Sequence, residues 1–506
     1  MICRAFRRLS PFAAALALLC ACAGGAPERG DSPLRDYYEI FVGSFYDGDG
    51  DGIGDLQGLI SKLDYLNNPK GKDCLGVGGI WLMPVMPSPT YHKYDVTDYY
   101  AIDPSYGTME DFERLIAECD KRGIRVIIDL VLNHTSSRHP WFLAALDELR
   151  SGSERRFADY YNFTREPAPG YYPAPGGHYY EAVFWSEMPD LNMDNENVRA
   201  EVARIAEFWT GKGVAGFRLD AVKHVYANMQ KNIDFWAWFA AMCAELKEDV
   251  FLVGEVWSDE TEVLPYYESG IALFNFPFSG HDGVINRYMQ SGNGEGLAAA
   301  FERHGNEIRL RNPNGVDCVF LSNHDTGRSA GYIVDPDKRK LAAAIYLLLP
   351  GCPFIYYGEE IGMTGSGADE NKRAAMYWSA TESAGMASNP PGATVTRLPA
   401  AAADEQLADP GSLLGYYRAV LALKAKHPAL YGGEVTALPL GERGVCAYNA
   451  GSVSVAHNLT GAGADVPCGE LGDSLGGYVS PTGEAVTLKD GRLYLPPYAS
   501  AVLPRS

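Results

Sequence analysis

Arg125-Val-Ile-Ile-Asp-Leu-Val-Leu-Asn-His134 is the stretch that decides the fold. It opens as a short apolar run rich in β-formers and closes on polar side chains. Residues 109–122, just before it, carry apolar positions at helical spacing. The pair reads as a helix feeding a strand whose far end bears chemistry. Working outward, similar apolar runs stand at 38–45, 79–84, 216–220, 251–255, 273–276, 318–321 and 354–357. Helix-like segments lie between most of them, among them 198–212, 234–246 and 338–349. Eight strands alternating with helices predict an α/β chain folded as a (β/α)8 TIM barrel rather than an open doubly wound sheet. Such barrels place their chemistry at the C-terminal ends of the strands, and these runs close on residues such as Asp129, Asp220 and Glu255.

Around the barrel, given by 36–133 and 190–430, three other regions stand out. Residues 134–189, between the third and fourth runs, are rich in Tyr, Pro and Gly and too long for a plain loop, so they read as an inserted subdomain after strand 3. Residues 436–506 carry short β-like runs broken by glycine and predict a C-terminal antiparallel β-sandwich. The N-terminus is an address. Arg4, Arg7 and Arg8 precede an apolar run too short to span a bilayer, followed by Leu19-Cys20-Ala21-Cys22. Residues 1–21 read as a signal peptide whose end resembles a bacterial lipobox, with Cys22 as the lipidated residue and 22–35 as its tether. The expectation is an exported protein, lipid-anchored at the cell envelope, and a monomer.

Composition narrows the function. Net charge is −21, from 43 basic and 64 acidic residues, a field that repels polyphosphates and argues against nucleic acid. A neutral polymer is indifferent to it. Thirty-one Tyr and eight Trp supply rings that serve core packing and can also face sugars. Beyond Cys22 seven cysteines remain with no CxxC spacing, so no zinc or redox motif is indicated, and their pairing is not readable.

Asp47-Gly-Asp-Gly-Asp-Gly-Ile-Gly-Asp55 sets carboxylates at alternate positions around glycine. Asp47, Asp49, Asp51, the Ile53 carbonyl and Asp55 match an EF-hand loop at positions 1, 3, 5, 7 and 9. Position 12 is Gly58 and the preceding segment is strand-like, so the expectation is a structural Ca2+ loop outside an EF-hand pair. Four acidic side chains this close repel one another without a cation.

Four segments close predicted strands: Asp129-Leu-Val-Leu-Asn-His134, Gly216-Phe-Arg-Leu-Asp-Ala-Val-Lys-His224, Gly254-Glu255 and Ser322-Asn-His-Asp325. Together they bring Asp220, Glu255 and Asp325 to one barrel mouth, with Arg218 on the same strand face as Asp220. Two carboxyls across a scissile bond, one ionised and one protonated, suit retaining glycoside cleavage. Arg218 is expected to hold Asp220 ionised, while the flanking Val253, Val256 and Trp257 favour a protonated Glu255.

With these segments in order, the chain from Tyr37 onward resembles the α-amylase family of glycoside hydrolases. The resemblance implies Asp220 as nucleophile, Glu255 as acid/base and Asp325 as transition-state stabiliser. It also implies sugar contacts for Tyr94, His134, Arg218 and His324, with Lys223 and His224 touching an α-glucan or maltooligosaccharide beyond the cut. Lys223-His224 resembles true α-amylases. Met188-Pro-Asp-Leu-Asn192 is intermediate between oligo-1,6-glucosidase and neopullulanase forms, and Asp369-Glu-Asn-Lys-Arg373 is similar to the oligoglucosidase branch. Endo-hydrolysis of α-1,4 bonds is therefore the expected activity. A cyclomaltodextrinase or neopullulanase, an exo-acting α-glucosidase, a transglycosylase or a non-catalytic glucan-binding protein are the alternatives. The family's second calcium site, at Asn133, Asp190 and His224, stays open.

Overall fold

The computed structural model describes residues 32–71, 73–395 and 398–505; the signal peptide, Cys22 and the first part of the tether lie outside the described residues. Eight parallel strands form the barrel: β1 (Tyr37–Ile40), β2 (Gly79–Leu82), β3 (Arg125–Leu130), β4 (Gly216–Leu219), β5 (Phe251–Gly254), β6 (Ala272–Phe274), β7 (Asp317–Cys318) and β8 (Phe354–Tyr356). The hydrogen-bonded order runs β7-β6-β5-β4-β3-β2-β1-β8. Cys352 N–H donating to Asp317 O at 3.0 Å and Phe354 N–H donating to Val319 O at 2.9 Å bring β8 against β7 and close the ring.

Alternation along the strands sorts the side chains. Tyr37, Trp81, Ile127, Phe251, Val253, Phe274, Cys318 and Phe354 fill the barrel interior as one buried cluster. Their neighbours Tyr38, Ile80, Ile128, Phe217 and Leu273 join the larger core under the helices. Helix Met109–Asp120 shows how the outer layer is fixed. Thr108 and Asp111 form a reciprocal capping box at its start, and Phe112, Leu115, Ile116 and Cys119 bury one face. Phe112 meets Trp209 of helix Glu196–Gly211 edge-on at 5.2 Å, which docks the two helices.

Two strands are shorter than their apolar runs. The run at 38–45 ends its ladder at Ile40 and turns through a 3-10 helix at Val42–Ser44. β7 holds only two residues; past it Val319 O still meets β8, while Leu321 O accepts from Gly280 N–H and from the Tyr332 hydroxyl.

The insertion after β3 carries helix Pro140–Ser151 and a small antiparallel sheet of Phe163–Thr164, Tyr171–Ala174 and His178–Glu181. Isolated bridges His134↔Asp190 and Tyr161↔Leu191 stitch it to the chain that re-enters the barrel. At the C-terminus, a five-stranded and a three-stranded antiparallel sheet face each other across Val445, Ala447, Val466, Leu493, Leu495 and Leu503. Phe301 of helix Gly294–Arg311 packs on Tyr448 at 5.7 Å and joins this sandwich to the barrel. The seven cysteines among the described residues are all free thiols.

Candidate active site

β3 and β4 build the centre of the site. Their register sets Asp129 directly opposite Arg218, both pointing into the barrel. Arg218, 1% exposed, donates through Nη1 to both Asp129 oxygens at 2.9 and 3.1 Å and to Asp220 Oδ1 at 2.6 Å. Its Nη2 lies 3.1 Å from Glu255 Oε2. One guanidinium thus serves three acids. Sequence spacing points only to Asp220; the contact with Glu255 comes from the neighbouring strand. Just past the nucleophile candidate, Ala221 adopts a left-handed backbone at φ +50° and aims its N–H at Glu255 Oε2, at 3.0 Å.

Burial raises both carboxyls. For Asp220 the guanidinium is the main opposing influence, at the shorter distance. Glu255 also feels the guanidinium, but the negative charges of Asp220 and Asp325 push it further up. Asp325 raises Asp220 as well, and the difference between the two is one of distance: Arg218 lies 2.6 Å from Asp220 and 3.1 Å from Glu255. Val256 is buried beside Glu255, whereas Trp257 is half exposed, so the apolar wall is narrower than the sequence suggested.

Asp325 sits under a different field. His324 Nε2 lies 2.9 Å from its Oδ2 and Arg373 Nη2 lies 2.8 Å from its Oδ1. Burial opposes ionisation there, but the combined charge of His324, Arg373 and Arg218 outweighs it and holds Asp325 well below the usual carboxylate range. His324 is itself gripped at Nδ1 by Glu39 Oε1 at 2.6 Å. Its burial favours the neutral ring, yet Asp325 and Glu39 push its pKa up to about 9. Glu39, on β1, has no signal in the sequence, and Arg373, after β8, is marked there only as the end of the segment 369–373, with no role at the site.

Tyr94 stacks on His324 at 5.6 Å with a 15° interplanar angle. Its hydroxyl donates to Asp129 Oδ2 at 2.9 Å and lies 2.8 Å from His324 Nε2. His134 Nε2 lies 3.2 Å from Tyr94 O, and burial lowers its pKa to about 4, leaving it neutral at ordinary pH. Lys223 donates to Trp257 O at 3.0 Å and pairs with Glu262 at 3.2 Å. Phe184 of the insertion lies 4.9 Å from the His224 ring and 5.6 Å from that of His134. All nine expected catalytic and sugar-contacting residues thus belong to one region of linked contacts, and Phe184 adds to it. Asn133 Nδ2 donates to Asp190 Oδ1 at 3.1 Å, which satisfies part of that acid directly.

The acidic loop after β1 is compact. Carboxylate oxygens of Asp47, Asp49 and Asp55 come within 4.8 Å of one another. Asp51 stands outside this group, and its Oδ1 accepts the Ile53 N–H at 2.7 Å. Gly50 and Gly52, at φ +89° and +93°, make the turns that fold N–H groups onto Asp47 Oδ1 and Oδ2, at 2.6 and 2.9 Å. Asp55 caps helix Leu56–Ser61, and Ser388 N–H donates to Gly52 O at 2.8 Å. An all-oxygen, multiply charged donor set of this kind fits a hard divalent cation.

Buried imidazoliums make stability depend on pH. His304, between Glu260 and Asp317, is pushed up to about 9 like His324, its acids outweighing burial. Folding raises both pKa values, so the stabilisation is complete below the ordinary imidazole value of about 6.5 and is lost as pH rises through about 9. Tm should therefore fall between about pH 7 and 9.5. His304→Gln should flatten part of that slope. A Tm that holds constant over the range would refute the assignment of charge.

The description "Alpha amylase, catalytic domain" fits residues 39–433. Alpha-amylase 3 of Dictyoglomus thermophilum is 43% identical over 439 residues, which is 84% of either chain. Glucan 1,6-alpha-glucosidase of Streptococcus pneumoniae is 35% identical over 358 residues, 65% of either chain. The solved structure of Eubacterium rectale Amy13B superposes with a TM-score of 0.89 at 41% identity, covering 94% of this chain and 96% of its own. From its barrel, its insertion and this breadth of likeness, the chain belongs to the α-amylase family of glycoside hydrolases.

Proposed function

We propose that the enzyme is a retaining, endo-acting α-amylase that cuts α-1,4 bonds within α-glucan chains. The observation that carries retention is the sharing of Arg218 by Asp220 and Glu255, one on each terminal nitrogen. A guanidinium's width between two carboxyls suits the short spacing, about 5 Å, of enzymes that form a covalent intermediate. Asp220 attacks the anomeric carbon as Glu255 gives its proton to the departing glycosidic oxygen. Glu255, now ionised, takes a proton from water, which displaces Asp220 from that carbon. Each sugar is released with its original anomeric configuration. Asp325, kept ionised by His324 and Arg373, faces the positive charge that develops on the ring. Tyr94 stacks on the same sugar.

Endo action rests on what lies beyond the acid/base. Trp257, 51% exposed, stacks on Phe276 at 5.5 Å and 13°, two residues from Glu255. Phe184, 48% exposed, covers His224 on the insertion side. Rings on both walls offer platforms for a chain that continues past the cut. The relative named an α-amylase supports this reading, while the relative named a glucan 1,6-alpha-glucosidase keeps exo action as its rival. On soluble starch, iodine colour should fall faster than reducing ends appear, with new ends first detected as the α-anomer by NMR. Glucose as sole early product with iodine colour preserved would make the enzyme an exo-glucosidase.

The loop at Asp47, Asp49 and Asp55, with Asp51 and Ile53, is proposed to hold a structural Ca2+, which neutralises the gathered carboxylates and pins the segment around Ser388. Chelation should lower Tm and calcium should restore it. Asp49→Ala with Asp51→Ala should remove that response. If the double variant keeps full calcium sensitivity, the ion binds elsewhere.

A further inference from the structure

Lys93 has a backbone that its side chain disfavours. Among the described residues only Lys93, Ala221, Asp490 and Tyr498 combine a side chain with positive φ, and Lys93 stands at +67°. A long, unbranched cation gains nothing locally from the left-handed region, unlike Asn or Asp. Such a conformation persists when its surroundings over-determine it.

Those surroundings centre on Asp103. Lys93 Nζ lies 2.7 Å from Asp103 Oδ2, both side chains being about nine-tenths buried at 10% and 7% exposure. Asp103 is in turn fixed: Oδ1 accepts Ser105 N–H at 2.9 Å and its hydroxyl at 2.6 Å, and Oδ2 accepts Ser88 N–H at 3.2 Å. The Tyr106 ring centroid lies 5.4 Å from the ammonium. Asp103 N–H donates to Val85 O just after β2, at 2.8 Å, so the anchor is tied to the barrel. The next residue is Tyr94. Its hydroxyl joins Asp129 and His324, its ring stacks on His324, and its carbonyl lies against His134. Lys93 and Tyr94 thus leave one turn in different directions, one into a locked ion pair and the other into the active site.

We propose that Lys93 and Asp103 form a strut that positions Tyr94, and that these two residues act on the reaction through it. This rests on the reading of Tyr94 as the ring that meets the sugar at the cut. The left-handed turn at Lys93 is what lets the strut and the tyrosine diverge. Neither strut residue touches substrate in this scheme. Its effect falls on the transition state, because misplacing a stacking ring and its hydroxyl network by a fraction of an ångström weakens contacts to the reacting sugar.

The test compares Lys93→Met, Lys93→Gly, Lys93→Arg, Asp103→Asn and Tyr94→Ala on maltoheptaose, with the affinity of acarbose as the transition-state probe. Lys93→Met and Lys93→Gly should lose about tenfold to a hundredfold in kcat/KM, with acarbose affinity falling in parallel. Lys93→Arg, which keeps the charge, should retain most of both. Lys93→Gly separates backbone from strut, because glycine accepts the turn without strain yet lacks the cation. Wild-type kinetics in that variant would overturn the proposal, as would a lower Tm with unchanged kcat/KM. Asp103→Asn keeps volume and acceptor oxygen, so it carries the test if the lysine variants do not fold. Should Tyr94→Ala stay active, the reading of the sugar site fails along with the strut. If Tyr94→Ala loses activity while every strut variant is normal, only the strut fails.

Discussion

Asp220→Asn is expected to leave a folded protein with turnover on maltooligosaccharides reduced by about four orders of magnitude or more. The substitution keeps the shape and the acceptor oxygen that faces Arg218 at 2.6 Å. It removes the anionic oxygen that would bond to the anomeric carbon. The fold should survive because Arg218 is not left alone: Asp129 meets it with both oxygens and Glu255 meets its other terminal nitrogen. A buried cation that lost its sole partner would destabilise the chain by several kcal/mol, about 3–5 in comparable cases, whereas this one keeps two. Tm should therefore move by only a few degrees, and a melt alongside a reducing-sugar assay checks both halves. Retention of a tenth of wild-type activity would remove Asp220 from the role of nucleophile.

The barrel was readable because its strands are short apolar runs that close on polar residues, and because helical periodicity fills the gaps between them. The Arg218–Asp220 relation was readable for a similar reason: residues two apart on a strand share a face. Contacts that depend on closure of the ring were not. Glu39 meets His324 across 285 positions of sequence, and Arg373 reaches Asp325 from 48 residues away, so no local spacing carries either pairing. The sharing of Arg218 with Glu255 follows from the neighbouring of β4 and β5, which is a property of the sheet. Asp51 matched the calcium pattern by position, but its carboxylate caps the turn at Ile53 and stands apart from the other three acids. Lys93 had no signal at all, since propensity assigns its backbone region to glycine and asparagine. Short β7 was over-read for a related reason: apolar character marks what is buried, and hydrogen-bond partners decide what is strand.

Glu255→Gln should separate the two halves of the reaction. Loss of a general acid/base costs typically 10²–10⁴-fold, and unactivated maltooligosaccharides, whose leaving oxygen needs a proton, should show about the upper end of it. An α-maltosyl fluoride departs without protonation, so its first step should remain fast in the variant. Water then lacks a base, the glycosyl–Asp220 ester accumulates, and fluoride release should show a burst followed by a slow phase. Azide needs no base. It attacks the same carbon, displaces Asp220 and should speed the slow phase while yielding an α-glycosyl azide. The pH profile gives an independent reading of the same carboxyl. Burial, with Asp220 and Asp325 adding to it, raises the Glu255 pKa, and the proposed mechanism needs the protonated form. Activity of the wild type is therefore lost as pH rises through that value, while protonation of Asp220 ends it as pH falls. With the titrating acid gone, Glu255→Gln should lose the basic limb and keep the acidic one. A variant that retains both limbs, or hydrolyses the fluoride without a burst and without response to azide, would place the acid/base on another residue.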